Sequence, residues 1–393
     1  MDRRFKKLTL GALVLGLLSP GAVLAQTTTT NYDIAWDTFT SGLQMGTSTS
    51  KWNYFSNTLI TTSGASHTFT ADDAITSPLS NGLYVKSSGW NNSTQRPAFN
   101  LSVPSENVGV QPGALDHVKW LVYMNNMAST NVPGFDAVLG KELSCSTRII
   151  GQTFGTRLHP FGSKAATNDL RLAAFAMNTI DFESFMVFDF MFTNKRIYAI
   201  YERLPFGRTQ TDNYAAFTFA IPLGARSAGT AHDVKIAYDR SAGIVRWILD
   251  GKEVYRVSTI GRRINRRYMI IDHGGIEKTV APRQLNCGMG MFTLLDGSDG
   301  SQPGLVRLSN RPNFYFSPSR GEPSLQSFVD ETSQPGSRIF GQGVEFRIGT
   351  YRVASTTVGA APAPAPTDPP DIITSPDDTI DKGDGMPTYE PLP

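Results

Sequence analysis

Between Thr27 and Ser355, apolar and polar positions alternate in short runs rich in Val, Ile, Phe, Tyr and Thr, cut every few residues by Gly, Pro, Asn or Asp. A period of two places alternate side chains on opposite sides of an extended chain. Short runs punctuated in this way predict an all-β sandwich. The clearest stretch is HDVKIAYDRSAGIVRWILDGKEVYRV, His232 to Val257. Val234, Ile236 and Tyr238 alternate, Asp239 to Gly243 forms a polar turn, and Val245, Trp247 and Leu249 alternate again. Asp250-Gly251 then predicts a tight hairpin, because glycine tolerates positive φ. Three antiparallel strands follow.

A second hairpin is predicted in FMVFDFMFTNKRIYAIYERLPFG, Phe185 to Gly207. If Asn194-Lys195 is a two-residue turn, Thr193 opposes Arg196, Met191 opposes Tyr198, Asp189 opposes Ile200 and Val187 opposes Glu202. Asp189 and Glu202 then share one face, their Cβ atoms about 7 Å apart as diagonal neighbours. Their side chains can bring the carboxyl groups to about 5 to 6 Å, the range of retaining glycoside hydrolysis. A three-residue turn would send them to opposite faces and remove the pair. The competing reading is structural, with Asp189 satisfied by an arginine or backbone amides and Glu202 by Arg203 or Arg208. Tyr198 shares the Glu202 face by even spacing, and Arg203, beside Glu202, is a candidate substrate-binding cation.

The flanks differ from this body. Arg3, Arg4, Lys6 and Lys7 precede an apolar run from Leu8 to Leu18 and the small-residue pattern Val23-Leu24-Ala25. This predicts a secretory signal peptide over 1–25, cut before Gln26, and a secreted or periplasmic chain. No later stretch approaches about 20 apolar residues, so no membrane span is expected. Residues 356–393 combine proline alternation with acids and predict a disordered tail. About 330 residues remain, read as one β-sandwich domain over 26–355. The alternative is a small β domain ending near Pro133 followed by a second one.

Net charge is +2 over 393 residues, which gives no reason to expect a nucleic-acid partner. The basic cluster GRRINRRY, Gly261 to Tyr268, is the one exception, as a solvated face or a polyanion site. Cys145 and Cys287 are the two cysteines. In an exported chain they either form one long-range disulfide or stay as small buried thiols.

The meander with Trp247, Asp250, Gly251 and Val254 resembles one found in the concanavalin A-like lectin and glucanase sandwiches. A wider likeness from about Leu170 to Phe346, through YERLPFG, DHGG, GMGMFTLLDG and FGQG, looks like a family of secreted bacterial proteins of unknown function assigned to the same sandwich. The resemblance implies a concanavalin A-like jelly-roll β-sandwich with long loops, and export. It also implies first and last strands that lie together, so Tyr32–Phe39 and Gly343–Val353 are expected to pair. It brings no catalytic residues. Glucanases of this superfamily commonly carry Glu-x-Asp-x-Glu on one strand. This chain lacks it, and Glu183 and Asp189 are about 20 Å apart along an extended chain.

Three further stretches carry candidate chemistry. In IIDHGGIEK, His273 follows a strand and precedes two glycines, which suits a general base, a ligand contact or a turn cap. In SSGWNNST, Trp90 sits among residues that could bind sugar hydroxyls while its ring stacks on a sugar face, or it anchors the loop. In LLDGSDGSQPG, Asp296, Ser298 and Asp299 offer oxygen ligands, but the spacing lacks the closing glutamate of a calcium loop, and an ordinary turn is preferred. No Walker loop, dinucleotide fingerprint, Gly-x-Ser-x-Gly elbow or metal spacing occurs, so neither cofactor nor metal is expected. The expectation is a carbohydrate-active glycoside hydrolase using Glu202 and Asp189, or a glycan-binding or surface-interaction protein. A polysaccharide lyase using Tyr198, Glu202 and His273 ranks third. The partner is a carbohydrate or another extracellular small molecule.

Overall fold

The computed structural model describes residues 30–47, 49–60, 64, 66–100, 117–157, 168–293, 297–298, 303–304 and 341–358. Residues 1–25, read above as a signal peptide, the stretch beyond Val358 read as a tail, and Asp296 and Asp299 lie outside them. Two nine-stranded antiparallel sheets face each other. In the first, neighbours run Lys252–Val257, Ile244–Leu249, His232–Asp239, Lys141–Phe154, Gly343–Ile348, Gly82–Ser87, Ala74–Leu79. In the second they run Met269–Asp272, Phe217–Ala225, Arg196–Arg203, Met186–Phe192, Ala174–Asp181, Gln284–Phe292, Val118–Met124, Trp52–Tyr54. The fold is the all-β jelly-roll sandwich that the alternation predicts.

The meander forms as read. Val234 pairs with Leu249, Tyr238 with Val245, and Leu249 with Lys252 across Asp250-Gly251. Both turn residues take positive φ, 50° and 79°. Lys141–Phe154 organises the first sheet. One edge pairs with His232–Asp239, while the other is shared by Tyr351–Thr357 and Gly343–Ile348. Tyr32–Asp37 pairs with Tyr351–Thr357, so the expected union of first and last strands occurs, slightly beyond the segment assigned to it. That last strand also takes in Thr356 and Thr357, the first residues assigned to the tail.

Alternation sorts each strand of the second sheet between two faces. Met186, Phe188, Phe190 and Phe192 enter the main core with Ile197, Ala199 and Tyr201 of the next strand. Tyr198, Ile200 and Ala220 form a smaller cluster on the outer face, turned away from the first sheet. A disulfide joins Cys145 of the first sheet to Cys287 of the second, with Cα atoms 6.3 Å apart, inside the span that bond geometry allows.

Candidate functional site on the outer face of the second sheet

The hairpin register decides what stands on that face. Val187 pairs with Glu202, Asp189 with Ile200 and Met191 with Tyr198, the pairing of a two-residue turn. Neither Asn194 nor Lys195 takes a positive φ, so the turn is not of the primed type that usually fixes such a hairpin. It is held from outside. The Asn194 side chain accepts from the Thr153 amide at 2.8 Å and donates to the Thr153 carbonyl at 2.9 Å, across to the first sheet. Asp189 and Glu202 therefore share the outer face as diagonal neighbours.

Their environments differ. Asp189 is buried, at 6% exposure. Asn178 Nδ2 donates to its Oδ2 and the Thr179 amide to its Oδ1, each at 2.8 Å. Paired residues resume at Met177–Phe190 on one side and Ile180–Val187 on the other, so the Asp189 carboxylate stands in the gap of the ladder. Burial pushes its pKa well up, and the Glu202 charge adds to the rise. Glu202 is partly exposed, and its Oε1 accepts from the Thr218 hydroxyl on the neighbouring strand. Desolvation raises its carboxyl to about 7. Among the described residues neither carboxylate is paired with an arginine, which corrects the structural alternative for Glu202; for Asp189 the backbone amide of Thr179 meets it.

Tyr123 and Asn178 join this face without having been singled out in the sequence. Gly288 lies between them in one cross-strand row, paired with each. The Tyr123 ring leans over Gly288, where an added Cβ would come within 2.6 Å of its Cδ1. Burial raises the phenol's pKa well above its ordinary value, and the charges of Asp189 and Glu202 raise it further. The available signal was parity. Trp120, Val122 and Met124 belong to the core, which leaves Tyr123 on the other face, and glycines at 288 and 290 mark a strand side bare of side chains.

The other candidates are placed elsewhere. Tyr198 does share the Glu202 face, but it is buried and its hydroxyl donates to the Asn168 carbonyl, so burial holds it protonated. Arg203 has the parity of Tyr201 and is 4% exposed. Its guanidinium lies 3.8 Å from the Tyr214 ring centre and donates to the Ser184 and Lys278 carbonyls. That occupation corrects its assignment as a substrate contact. His273 follows the Met269–Asp272 strand, two strands from Glu202 and two residues past its row, about 12 Å between Cα atoms. The turn cap there is Asp272, whose Oδ1 accepts from the Gly274 amide at 2.7 Å. The lyase trio is therefore not assembled. Trp90 is 46% exposed on a two-stranded ribbon against the first sheet, with Lys86 Nζ 6.0 Å from its ring centre, and does not meet the carboxylates. Among the described residues no cluster of three or more His, Cys, Asp or Glu is placed to hold a metal ion, and no helix is long and apolar enough to cross a membrane.

Residues 36–357 match a family described as of unknown function, DUF6081. The uncharacterised protein L829 of Acanthamoeba polyphaga mimivirus is 31% identical over an alignment covering 46% of this chain, which spans about half, 54%, of that relative. Among solved structures, a lichenase from a mouse hindgut metagenome aligns over 84% of this chain and 100% of its own, at 8% identity and a TM-score of 0.34. A sialidase aligns over 82% of this chain and 18% of its own, at 11% identity and a TM-score of 0.34. Likeness at this level carries no argument about activity.

Proposed function

The chain belongs to a family of unknown function, DUF6081, and from its own residues we propose that it is a secreted carbohydrate-active enzyme, a glycoside hydrolase working with Glu202 and Asp189. The observation that carries this reading is the pairing of Val187 with Glu202 and of Asp189 with Ile200. It stands two carboxylates on one sheet face at the diagonal spacing that suits retaining hydrolysis.

Their surroundings divide the roles. A carboxyl raised to about 7 is protonated in near-neutral water and can give its proton to the leaving glycosidic oxygen as the C–O bond breaks. Thr218 orients it. Asp189 is the carboxylate left to attack the anomeric carbon, and it does so only in its ionised form, which the donors from Asn178 and the Thr179 amide favour and its burial opposes. The Glu202 carboxylate then takes a proton from water as that water releases the sugar from Asp189. Tyr123 supplies an aromatic wall beside the pair.

A second reading, a non-catalytic glycan-binding protein, draws on one observation: the Asp189 carboxylate substitutes for missing ladder hydrogen bonds, a structural task. Glu202→Gln separates the two. Under the hydrolase reading turnover falls about 100-fold or more while glycan binding persists. A polysaccharide screen that reads reducing ends and unsaturated products provides the substrate. Full turnover by Glu202→Gln would remove the residue from its role, and binding without any turnover by the parent would favour the lectin.

A further inference from the structure

Two sequence features that the hydrolase reading leaves unused carry opposite charge. Residues 261–268, GRRINRRY, hold four arginines and no acid, while residues 359–393 hold seven Asp and Glu against one Lys. The net +2 of the chain conceals this separation.

The arginine loop is fixed with most of its charge outward. Gly261 donates its amide to the Tyr201 hydroxyl at 2.8 Å, and that hydroxyl donates to the Arg262 carbonyl at 2.8 Å, which anchors the loop on the second sheet. The Asn265 side chain accepts from the Arg267 amide at 3.1 Å and caps a short 3-10 turn, Arg266–Tyr268. Arg263 turns to Asp272, at 2.8 Å, and to Glu277, at 3.9 Å, and so takes up the acids of the neighbouring segment. Arg262, Arg266 and Arg267 are exposed. Arg262 Nε donates to the Thr279 hydroxyl at 2.8 Å, and the Arg267 guanidinium lies 4.6 Å from the Tyr268 ring centre, so two of the three heads are positioned. Like charges held this close repel, and an anion set among them relieves the repulsion.

The described chain leaves the sandwich at the end where this loop stands. The Val358 amide donates to the Gly140 carbonyl, next to the Lys141–Thr357 pair. From there the pairs Glu142–Asp239, Asp239–Ile244 and Val245–Val257 step across the first sheet to the strand that leads into the loop. That path crosses four strand spacings, about 19 Å, and the five residues from Val257 to Arg262 add at most about 17 Å. Residues 361–366 repeat Ala-Pro three times, a composition that favours extended chain at about 3.1 Å per residue. At that rise Asp368 reaches about 31 Å from Val358 and Asp371 about 40 Å. The first acids therefore fall at the distance of the arginines.

We infer that the arginine loop is the docking surface for this chain's own acidic segment, Asp368 to Asp384, which folds back across the end of the sandwich. The inference is independent of the carbohydrate reading. Exposed carboxylate–guanidinium pairs are too weak to hold separate molecules together, but a tether of this length keeps the segment at an effective concentration of about the millimolar range.

The test reads energy transfer in the full chain between dyes on Ser258→Cys, an exposed position just before the loop, and Ser375→Cys; the two native cysteines are bridged and do not take label. Transfer should be high at about 0.01 M salt and fall severalfold at about 1 M, as the Debye length drops from about 30 to about 3 Å. Asp368→Asn, Asp371→Asn, Asp377→Asn and Asp378→Asn together should bring the low-salt transfer down to the high-salt value, and Arg262→Gln, Arg266→Gln and Arg267→Gln together should do the same. The Asn set changes no residue of the described sandwich, so it decides if the Gln set fails to fold. Binding of inorganic polyphosphate should be about tenfold tighter in the Asn set than in the parent, because a docked segment competes for the same arginines. Equal low-salt transfer in the parent and the Asn set overturns the inference, as does equal polyphosphate binding. Transfer found only between donor and acceptor on different copies also overturns it, since the segment would then dock on a neighbouring molecule.

Discussion

At Glu202 one side chain couples stability to proposed chemistry. Its carboxyl rises from 4.5 unfolded to about 7 folded because burial disfavours the charge. Below about pH 4.5 both states are protonated, and folding is insensitive to this group. Between about 4.5 and 7 the unfolded chain ionises first, so stability is lost as pH rises, by at most about 3 kcal/mol. Above 7 the loss is complete. Glu202→Gln, without the charge, should overtake the parent in denaturant midpoint at about pH 8 while matching it near pH 4. Parallel midpoints at both values would show that the carboxyl is not raised. The general-acid limb of activity should fall above the same pH.

The element that presents Glu202 is a hairpin whose register comes from contacts outside it. Alternation sets Tyr198 and Glu202 on one face and, by the same parity, Ile197, Ala199, Tyr201 and Arg203 on the other, which the structure turns to the core. What Phe185–Gly207 does not contain is the pair of bonds from Asn194 to Thr153. Replacing Asn194 by Ala leaves the buried Thr153 amide without its acceptor and should cost about 1 to 3 kcal/mol by urea denaturation. An unchanged midpoint would mean that the strands set the register themselves. The meander needed no such help, because Asp250-Gly251 encodes its own turn. Partners of the carboxylates were hidden for the same reason as Thr153. Asn178, Tyr123, Gly288 and Thr218 come from four different strands, and only the strand order of the sheet makes them neighbours.

On the scale of the molecule, the sheets are tied through their middle. The Cys145–Cys287 bridge spans 142 residues of sequence, Trp247 Nε1 donates to the Asp189 carbonyl at 2.8 Å, and the Tyr351 hydroxyl donates to the Gly288 carbonyl at 2.8 Å. Two of these bonds end on the backbone beneath the candidate site, so the face that carries Asp189 is braced from the opposite sheet. Replacing both cysteines by Ala should lower stability by about 2 to 5 kcal/mol, since so long a loop restricts the unfolded chain strongly. Denaturation with and without reductant checks it. No change on reduction would show that packing alone sets the stability. Fold class was legible because alternation is local, while the disulfide was left open because pairing depends on how the sheets stack.

The union of Tyr32–Asp37 with Tyr351–Thr357 has a mechanical meaning. Tyr32 sits opposite Ser355, so the chain enters and leaves the sandwich at the same corner. Tension applied between the two flanks does not stretch the body between them. It loads one rung at a time, first Tyr32 against Ser355, then Asp33 against Ala354 and Ile34 against Val353. Because Tyr351–Thr357 is also paired with the strand that carries Cys145, a pull between the flanks peels Tyr32–Asp37 away like a zip before any force reaches the carboxylates of the opposite sheet.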